Sequence, residues 1–252
     1  MTENELMTLL RTVTPPDESA RAAAHAHWAA LAKPLGGLGA LEAMIEDAAA
    51  LTGNAAPAFE RRAVLVLCAD NGVVAQGVSQ TDAAVTRAVL ENLVARRTSV
   101  CRMAAAARCA VVPVDMGIAG APVAGAAEYR IAPGTCDFTA GPAMTRAQAV
   151  QAIAAGLALV RAQKRAGVQL LATGEMGIGN TTTSSAVASV LLGRPVAEMT
   201  GRGAGLSDAG LQRKIEVIER GIAVNHPDAA DPLGVLAAPV SYTHLRAHET
   251  KA

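Results

Sequence analysis

The stretch Arg62-Ala-Val-Leu-Val-Leu-Cys-Ala-Asp70 decides the fold. Its apolar residues run without a break from Ala63 to Ala69, between an arginine and an aspartate. A strand with one wet face would alternate. A continuous run of this length reads as a strand covered on both faces, as in a parallel sheet. It is also far shorter than the ~20 apolar residues a membrane helix needs. Two later runs share its character: Cys109-Ala-Val-Val-Pro-Val-Asp115 and Val168-Gln-Leu-Leu-Ala-Thr173. Pro113 cannot donate to a ladder, so it belongs at an edge or a strand end.

Helical spacing fills the intervals between these runs. Asp17 to Lys33 and Leu38 to Leu51 precede the first strand, separated by the loop Pro34-Leu-Gly-Gly-Leu-Gly39. Asp82 to Arg97 and Ser99 to Ala107 follow it. A segment rich in glycine and proline, 118–142, is mostly loop, with a short strand expected at Glu128–Ala132. Thr145-Arg-Ala-Gln148 has the form of a capping box, and a helix to about Ala166 should follow. Helices are then predicted over Thr182–Leu192 and Ser207–Asn225. Strands alternating with helices argue an α/β fold, an open parallel sheet with flanking helices and right-handed crossovers.

Composition removes several function classes. Lys+Arg and Asp+Glu both number 22, so the electrostatic footprint of a nucleic-acid binder is missing. Aromatics make up 2% of the chain, too few for base-stacking platforms. The acidic start Met1-Thr-Glu-Asn-Glu-Leu6 does not read as a signal peptide, and no run suits a membrane. A cytoplasmic protein is expected. Cys68, Cys101, Cys109 and Cys136 form no C-x-x-C pair, so no metal site is expected, and all four read as small buried hydrophobes. The segment 241–252 holds two of the five histidines and one of the two tyrosines. That change of vocabulary marks it as an aberrant tail, foreign to the fold.

In an open parallel sheet, ligands sit beyond the carboxyl ends of the strands. Three loops leave those ends: Asp70 to Ser79, Asp115 to Ile118, and Gly174-Glu-Met-Gly-Ile-Gly-Asn-Thr-Thr-Thr183. In the third, Gly174, Gly177 and Gly179 permit close backbone approach, and Asn180, Thr181 and Thr182 open a helix whose free amides attract an anion. It is not a Walker A loop, because Asn180 stands where that loop has lysine. Nor is it a dinucleotide fingerprint, since Thr182 stands where the last glycine or alanine would be. A monophosphate remains. Glu175 would repel that phosphate, so it should face a protonated ring, an azole N–H or a cationic sugar carbon. Gly201-Arg-Gly-Ala-Gly205 is a second glycine loop before a helix, and Arg202 and Lys214 are cations placed to assist. Each of these signals alone is also compatible with a tight turn or a solvated side chain.

Taken together, they resemble one family. Lys33-Pro-Leu-Gly-Gly-Leu-Gly-Ala-Leu-Glu42, Cys68-Ala-Asp-Asn-Gly-Val73 with Gly77-Val-Ser79, Gly141-Pro-Ala-Met-Thr145, the Gly174–Thr182 string and Gly201–Gly205 occur in the order seen in nicotinate-nucleotide:dimethylbenzimidazole phosphoribosyltransferases. The resemblance covers about residues 1–240. It implies a cytoplasmic homodimer with a Rossmann-like sheet and a small helical domain. Residues 1–55 would belong to that small domain, and 56–240 to the sheet domain. The implied substrates are nicotinate mononucleotide and 5,6-dimethylbenzimidazole, with no cofactor. Asn180–Thr182, Lys214, Arg202 and Gly203 would hold the phosphate, and Gly77, Ser79 and Thr81 would line the azole pocket. Three departures stand out. The family's principal base, a glutamate in a later glycine-rich motif, lies past the point where the resemblance stops. Asn71 occupies a position where family members commonly carry histidine, and Arg96-Arg-Thr-Ser99 replaces a glycine-rich continuation. Glu175 is therefore the one family-matched acid, as an assisting or substitute base. A non-catalytic binder of a nucleotide monophosphate or azole is the alternative.

Overall fold

A computed structural model describes residues 1–244. Four parallel strands form one sheet in the order β3-β2-β1-β4. Three helices come first: α1 (Glu3–Leu10), α2 (Glu18–Ala30) and α3 (Ala40–Thr52). Then follow β1 (Arg62–Ala69), α4 (Ala84–Val94), α5 (Ser99–Ala106), β2 (Cys109–Gly117) and β3 (Ala127–Glu128). The second half holds α6 (Arg146–Arg165), β4 (Leu170–Met176), α7 (Asn180–Leu192), α8 (Val196–Met199), α9 (Asp208–Asn225) and α10 (Pro232–Ala237). No helix among the described residues is long and apolar enough to cross a membrane.

The decisive run folds as its pattern predicts. β1 pairs with β2 from Arg62↔Cys109 onward and with β4 from Arg62↔Leu170 onward, so both its edges are used. Its side chains alternate between two cores. Leu65, Leu67 and Ala69 pack with Val114 and Met116 of β2 against Ala149, Ala152 and Leu159 of α6 and Ala237 of α10. Val66 and Cys68 face the other way, onto Leu90 and Leu93 of α4 and Cys101 and Ala104 of α5. Pro113 sits opposite Val66, while β3 pairs only with Val114 and Asp115. Pro113 thus lies where β2 is the sheet's edge on that side, which removes the objection to a proline in the run.

Several boundaries move. β4 runs to Met176 rather than Thr173, because its ladder with β1 continues through Cys68↔Met176. α7 consequently starts at Asn180, directly after the αL glycine Gly179. The expected strand at 128–132 shrinks to Ala127–Glu128. Beyond it, Tyr129 and Ile131 still donate to the carbonyls of Asp115 and Met116. Of the cysteines, Cys68 and Cys101 are buried, Cys109 is half-buried and Cys136 is exposed. The burial expected of all four therefore fails for Cys136. The first residues of the supposed foreign tail, Ser241, Tyr242 and Thr243, are buried, and Tyr242 joins the α6-side core. Residues 245–252 lie outside the described set.

A third core supports the loops beyond the sheet. Val73 and Val78, Phe138, Ala143, Ala186 of α7, and Val217 and Ile218 of α9 pack together there. Asn225 fastens the Phe138 segment to α9, its Nδ2 donating to the Phe138 carbonyl at 2.6 Å and the Gly221 carbonyl at 2.7 Å. A Cβ on Gly221 would overlap the edge of the Phe138 ring. Alanine would gain about 1 kcal/mol of helix propensity over glycine. Overpacking a close-fitted core costs about 1–3 kcal/mol, and an overlap this deep belongs at the upper end. Gly221→Ala is therefore expected to lower stability by about 1–2 kcal/mol in urea denaturation, and an unchanged or raised midpoint would contradict the packing described.

Candidate active site

The carboxyl ends of β1, β2 and β4 open on one side of the sheet. Two of the loop-opening acids there brace the backbone. Asp115 is buried and takes the N–H groups of Gly117 and Ile118, each at 3.0 Å. Arg130 completes it with a 2.8 Å ion pair, and its other nitrogen donates to the carbonyls of Ile118 and Gly120. Asp70 accepts the Ala119 N–H at 2.8 Å. Burial pushes its carboxyl above the usual range, opposed by that N–H, the Thr86 hydroxyl and the charge of Arg87. A register shift in the β1–β2 ladder falls between Cys68 and Ala69, at the rim of the crevice where such irregularities re-aim side chains. The Cys68 thiol behind it is pushed up to about 12 by burial and by Asp115, Glu175 and Asp70. It is no nucleophile at neutral pH.

The third loop is tighter than its glycines suggest. Gly174 and Glu175 belong to β4, opposite Val66 and Leu67. The turn itself is Gly177-Ile178-Gly179. A Cβ on Gly177 would lie 2.5 Å from the Ala69 carbonyl, and one on Gly179 would lie 2.9 Å from Val74. These two glycines are needed because the protein's own backbone packs here. Glu175 projects from the strand end into a polar cluster. One of its oxygens accepts the Asn180 side-chain amide, and the other accepts the Thr243 hydroxyl at 3.0 Å.

The helix start beyond the turn meets a buried cation. The amides of Asn180 and Thr182 turn back onto the carbonyls of Gly177 and Gly179. Thr181 is exposed, whereas Thr182 is fully buried and its hydroxyl has no hydrogen-bond partner among the described residues. Below Thr181 lies Lys214, only 1% exposed, on the inward stripe of α9 with Gly210, Val217 and Ile218. Its ammonium donates to Thr181 Oγ1 at 2.8 Å and to the Gly201 carbonyl at 3.0 Å. No carboxylate among the described residues pairs with it, and desolvation lowers its pKa. A Cβ on Gly203 would meet Thr181 Oγ1 at 3.0 Å and the Lys214 ammonium at 3.6 Å, so this glycine keeps the space over the cation open.

The other nominated residues fall into two groups. Arg202 is engaged within its own loop, paired with Asp208 and donating to the Leu206 carbonyl. The 77–81 loop is joined to the 201–205 loop by Gln80, which donates to the Gly205 carbonyl. Gly77 adopts φ +68°, and a Cβ there would touch the Arg213 guanidinium. Ser79 Oγ accepts the Thr81 N–H at 3.4 Å, and Thr81 is exposed. Gln80, Arg213 and Thr86 were missed by sequence reasoning. Only Arg213 carried a signal, as the neighbour of a lysine that interrupts an apolar helix stripe. Among the described residues no three His, Cys, Asp or Glu side chains cluster in a way that could hold a metal ion.

Residues 13–243 match a family model described as phosphoribosyltransferase. The nicotinate-nucleotide--dimethylbenzimidazole phosphoribosyltransferase of Ruminiclostridium cellulolyticum is 45% identical over 208 residues, 82% of this chain and 59% of that protein. The enzyme of that name from Roseiflexus sp. is 45% identical over 235 residues, 92% of this chain and 66% of that protein. The crystal structure of CobT from Thermus thermophilus superposes with a TM-score of 0.84 at 38% identity, covering 90% of this chain and 68% of that one. The chain thus spans about three-fifths to two-thirds of the length of the curated relatives it matches.

A buried ammonium without a counter-charge is a cost to the fold and an attraction for an anion. Lys214→Met is expected to weaken binding of inorganic phosphate about 10- to 100-fold, since hydrogen bonds to charged groups are worth ~1.5–3 kcal/mol. The folded-state pKa of Lys214 lies below its unfolded value, so the native state binds fewer protons once pH enters that interval. Stability should therefore rise as pH climbs through the folded pKa toward the unfolded ~10.4, while phosphate affinity falls over the same window. Titration calorimetry and urea denaturation at neutral and alkaline pH test both. Phosphate affinity indifferent to the substitution would remove Lys214 from the site.

Proposed function

The chain belongs to the phosphoribosyltransferase family just described, and we propose that it moves the 5-phosphoribosyl group of nicotinate mononucleotide onto 5,6-dimethylbenzimidazole. The products are α-ribazole 5′-phosphate and nicotinate. The observation that carries this reading is the pairing of an anion site with a carboxylate on one short turn. Lys214 and Thr181 mark the anion end, and Glu175 lies at the strand end leading into the same turn.

The chemistry suits these groups. The nicotinate nitrogen bonded to C1′ is already cationic, so breaking that bond returns an electron pair to a neutral pyridine ring and needs little acid help. The azole's free nitrogen forms the new bond to C1′ from the opposite face, which inverts the anomeric carbon. The positive charge then left on the azole is relieved when Glu175 accepts the proton from its other nitrogen. General-base help of this kind contributes about 10²–10⁴ in rate. The Lys214 ammonium and Thr181, the first-turn residue of α7 whose amide is not turned back onto the loop, hold the phosphate, and with it the sugar, so that base and C1′ meet in line. Gly77, Ser79 and Thr81 line the azole side, with Gln80 tying that loop to Gly203 and its neighbours. No step calls for a cofactor. The enzyme is read as cytoplasmic and homodimeric. Residues 1–55 begin a small helical domain, and its exposed Leu35, Leu38, Leu41 and Met44 are apolar side chains available to a second subunit.

Incubation with both substrates should release nicotinate, followed chromatographically. Glu175→Gln is expected to cut that release about 10²- to 10⁴-fold while leaving nicotinate mononucleotide binding nearly intact. No nicotinate from the parent chain, or equal release by the variant, would defeat the assignment.

A further inference from the structure

The turn Gly177-Ile178-Gly179 is held from outside at a single residue. The Ile178 N–H donates to Thr86 Oγ1 at 3.1 Å. The Ile178 carbonyl accepts Asn71 Nδ2 at 2.8 Å. Both partners are buried, Thr86 at 0% and Asn71 at 3% exposure. They come from the two ends of the segment that carries the 77–81 loop: Asn71 directly follows β1 and Asp70, and Thr86 sits in the first turn of α4. The flanking glycines leave no slack, because Gly177 lies against Ala69 and Asn71, and Gly179 against Val73 and Val74. Asn180, which holds Glu175, and Thr181, which touches Lys214, start immediately after this turn.

We infer that Asn71 and Thr86 are positioning residues, which clamp the Ile178 backbone on both sides and so lock the anion-binding start of α7 in register with the 77–81 loop. Both side chains are buried and act through the Ile178 backbone. Their effect is geometric: one clamped residue fixes where Glu175's partner and the phosphate site lie relative to the acceptor's loop. A histidine at position 71 would preserve the clamp where its ring N–H reaches the same carbonyl. The inference rests on the reading of the α7 start as the nucleotide's anion site, but its mechanical half does not.

The experiment is amide hydrogen exchange on the full chain without ligand, followed by calorimetric titration with nicotinate mononucleotide. In Asn71→Asp, and in Thr86→Val, which also takes the hydroxyl away from Asp70, peptides covering 177–182 should exchange at least roughly tenfold faster, the effect of losing a buried hydrogen bond to Ile178, while β1 keeps its rates. Thr86→Ser retains the hydroxyl and Asn71→His a ring N–H, so both should restore protection. Nicotinate mononucleotide affinity should fall roughly tenfold in the first pair and recover in the second. Unchanged exchange over 177–182 overturns the inference, and so does Thr86→Ser behaving like Thr86→Val. Faster exchange spread equally over β1 shows a general packing loss and also overturns it, as does altered exchange with undiminished affinity. Local exchange changing as expected in a chain that never binds the mononucleotide supports the clamp and sinks the anion-site reading.

Discussion

Everything at the crevice hangs from β1, which is hydrogen-bonded on both edges and buried on both faces. Its ladders with β2 and β4 set the heights of Asp70, Asp115 and Glu175 relative to one another. A shift of one residue in either ladder would exchange Leu65, Leu67 and Ala69 for Val66 and Cys68 between the two cores. That register penalty is what keeps three loops, drawn from distant parts of the chain, at a common rim. The acids at this rim are then divided by their surroundings. Arg130 and backbone amides neutralise Asp115, burial raises Asp70, and Glu175 is held by the side chains of Asn180 and Thr243.

The site's charge pattern is unusual for a fold of zero net charge. Nine ion pairs of arginine or lysine among the described residues occupy surface or braced positions, yet Lys214 is in none of them. A buried cation whose partners among the described residues are a hydroxyl and a carbonyl is poorly compensated, and an anion would supply the compensation. Its neighbour Gly203 has no Cβ to fill the space above it. Arg202, which the sequence offers as an equal partner, is diverted by Asp208, six residues further along.

Much of this was legible in the residues alone. The continuous apolar run at 63–69 announced a doubly covered strand, and Thr145 with Gln148 announced the start of α6, where both halves of the capping box form. The Gly174–Thr183 string announced a strand–turn–helix junction. What it could not disclose was the purpose of its glycines, since a close approach by ligand and a close approach by Ala69 or Val74 demand the same residue. Thr86 was invisible for a related reason. A threonine on a helix carries no mark of the peptide it will meet 92 residues later. The short Ala127–Glu128 strand was overestimated because the Tyr129 and Ile131 bonds that continue it lie off the regular ladder. Tyr242 was assigned to a foreign tail on vocabulary, a criterion blind to whether an aromatic ring finds a core.

The central place of β1 also bears on how the chain is made. Its first partner strand is synthesised some forty residues later, but its second begins at Leu170, roughly a hundred residues on, which at ~5–20 residues per second is a delay of about 5–20 seconds. Throughout that interval one edge of the most apolar strand is open, and until Arg146–Arg165 is made the Leu65–Leu67 side also lacks α6. Parallel pairings across such separations close slowly, after a large loss of chain entropy. The nascent polypeptide therefore carries a sticky, half-sheltered ribbon off the ribosome, and a chaperone or neighbouring chain can reach it before β4 does.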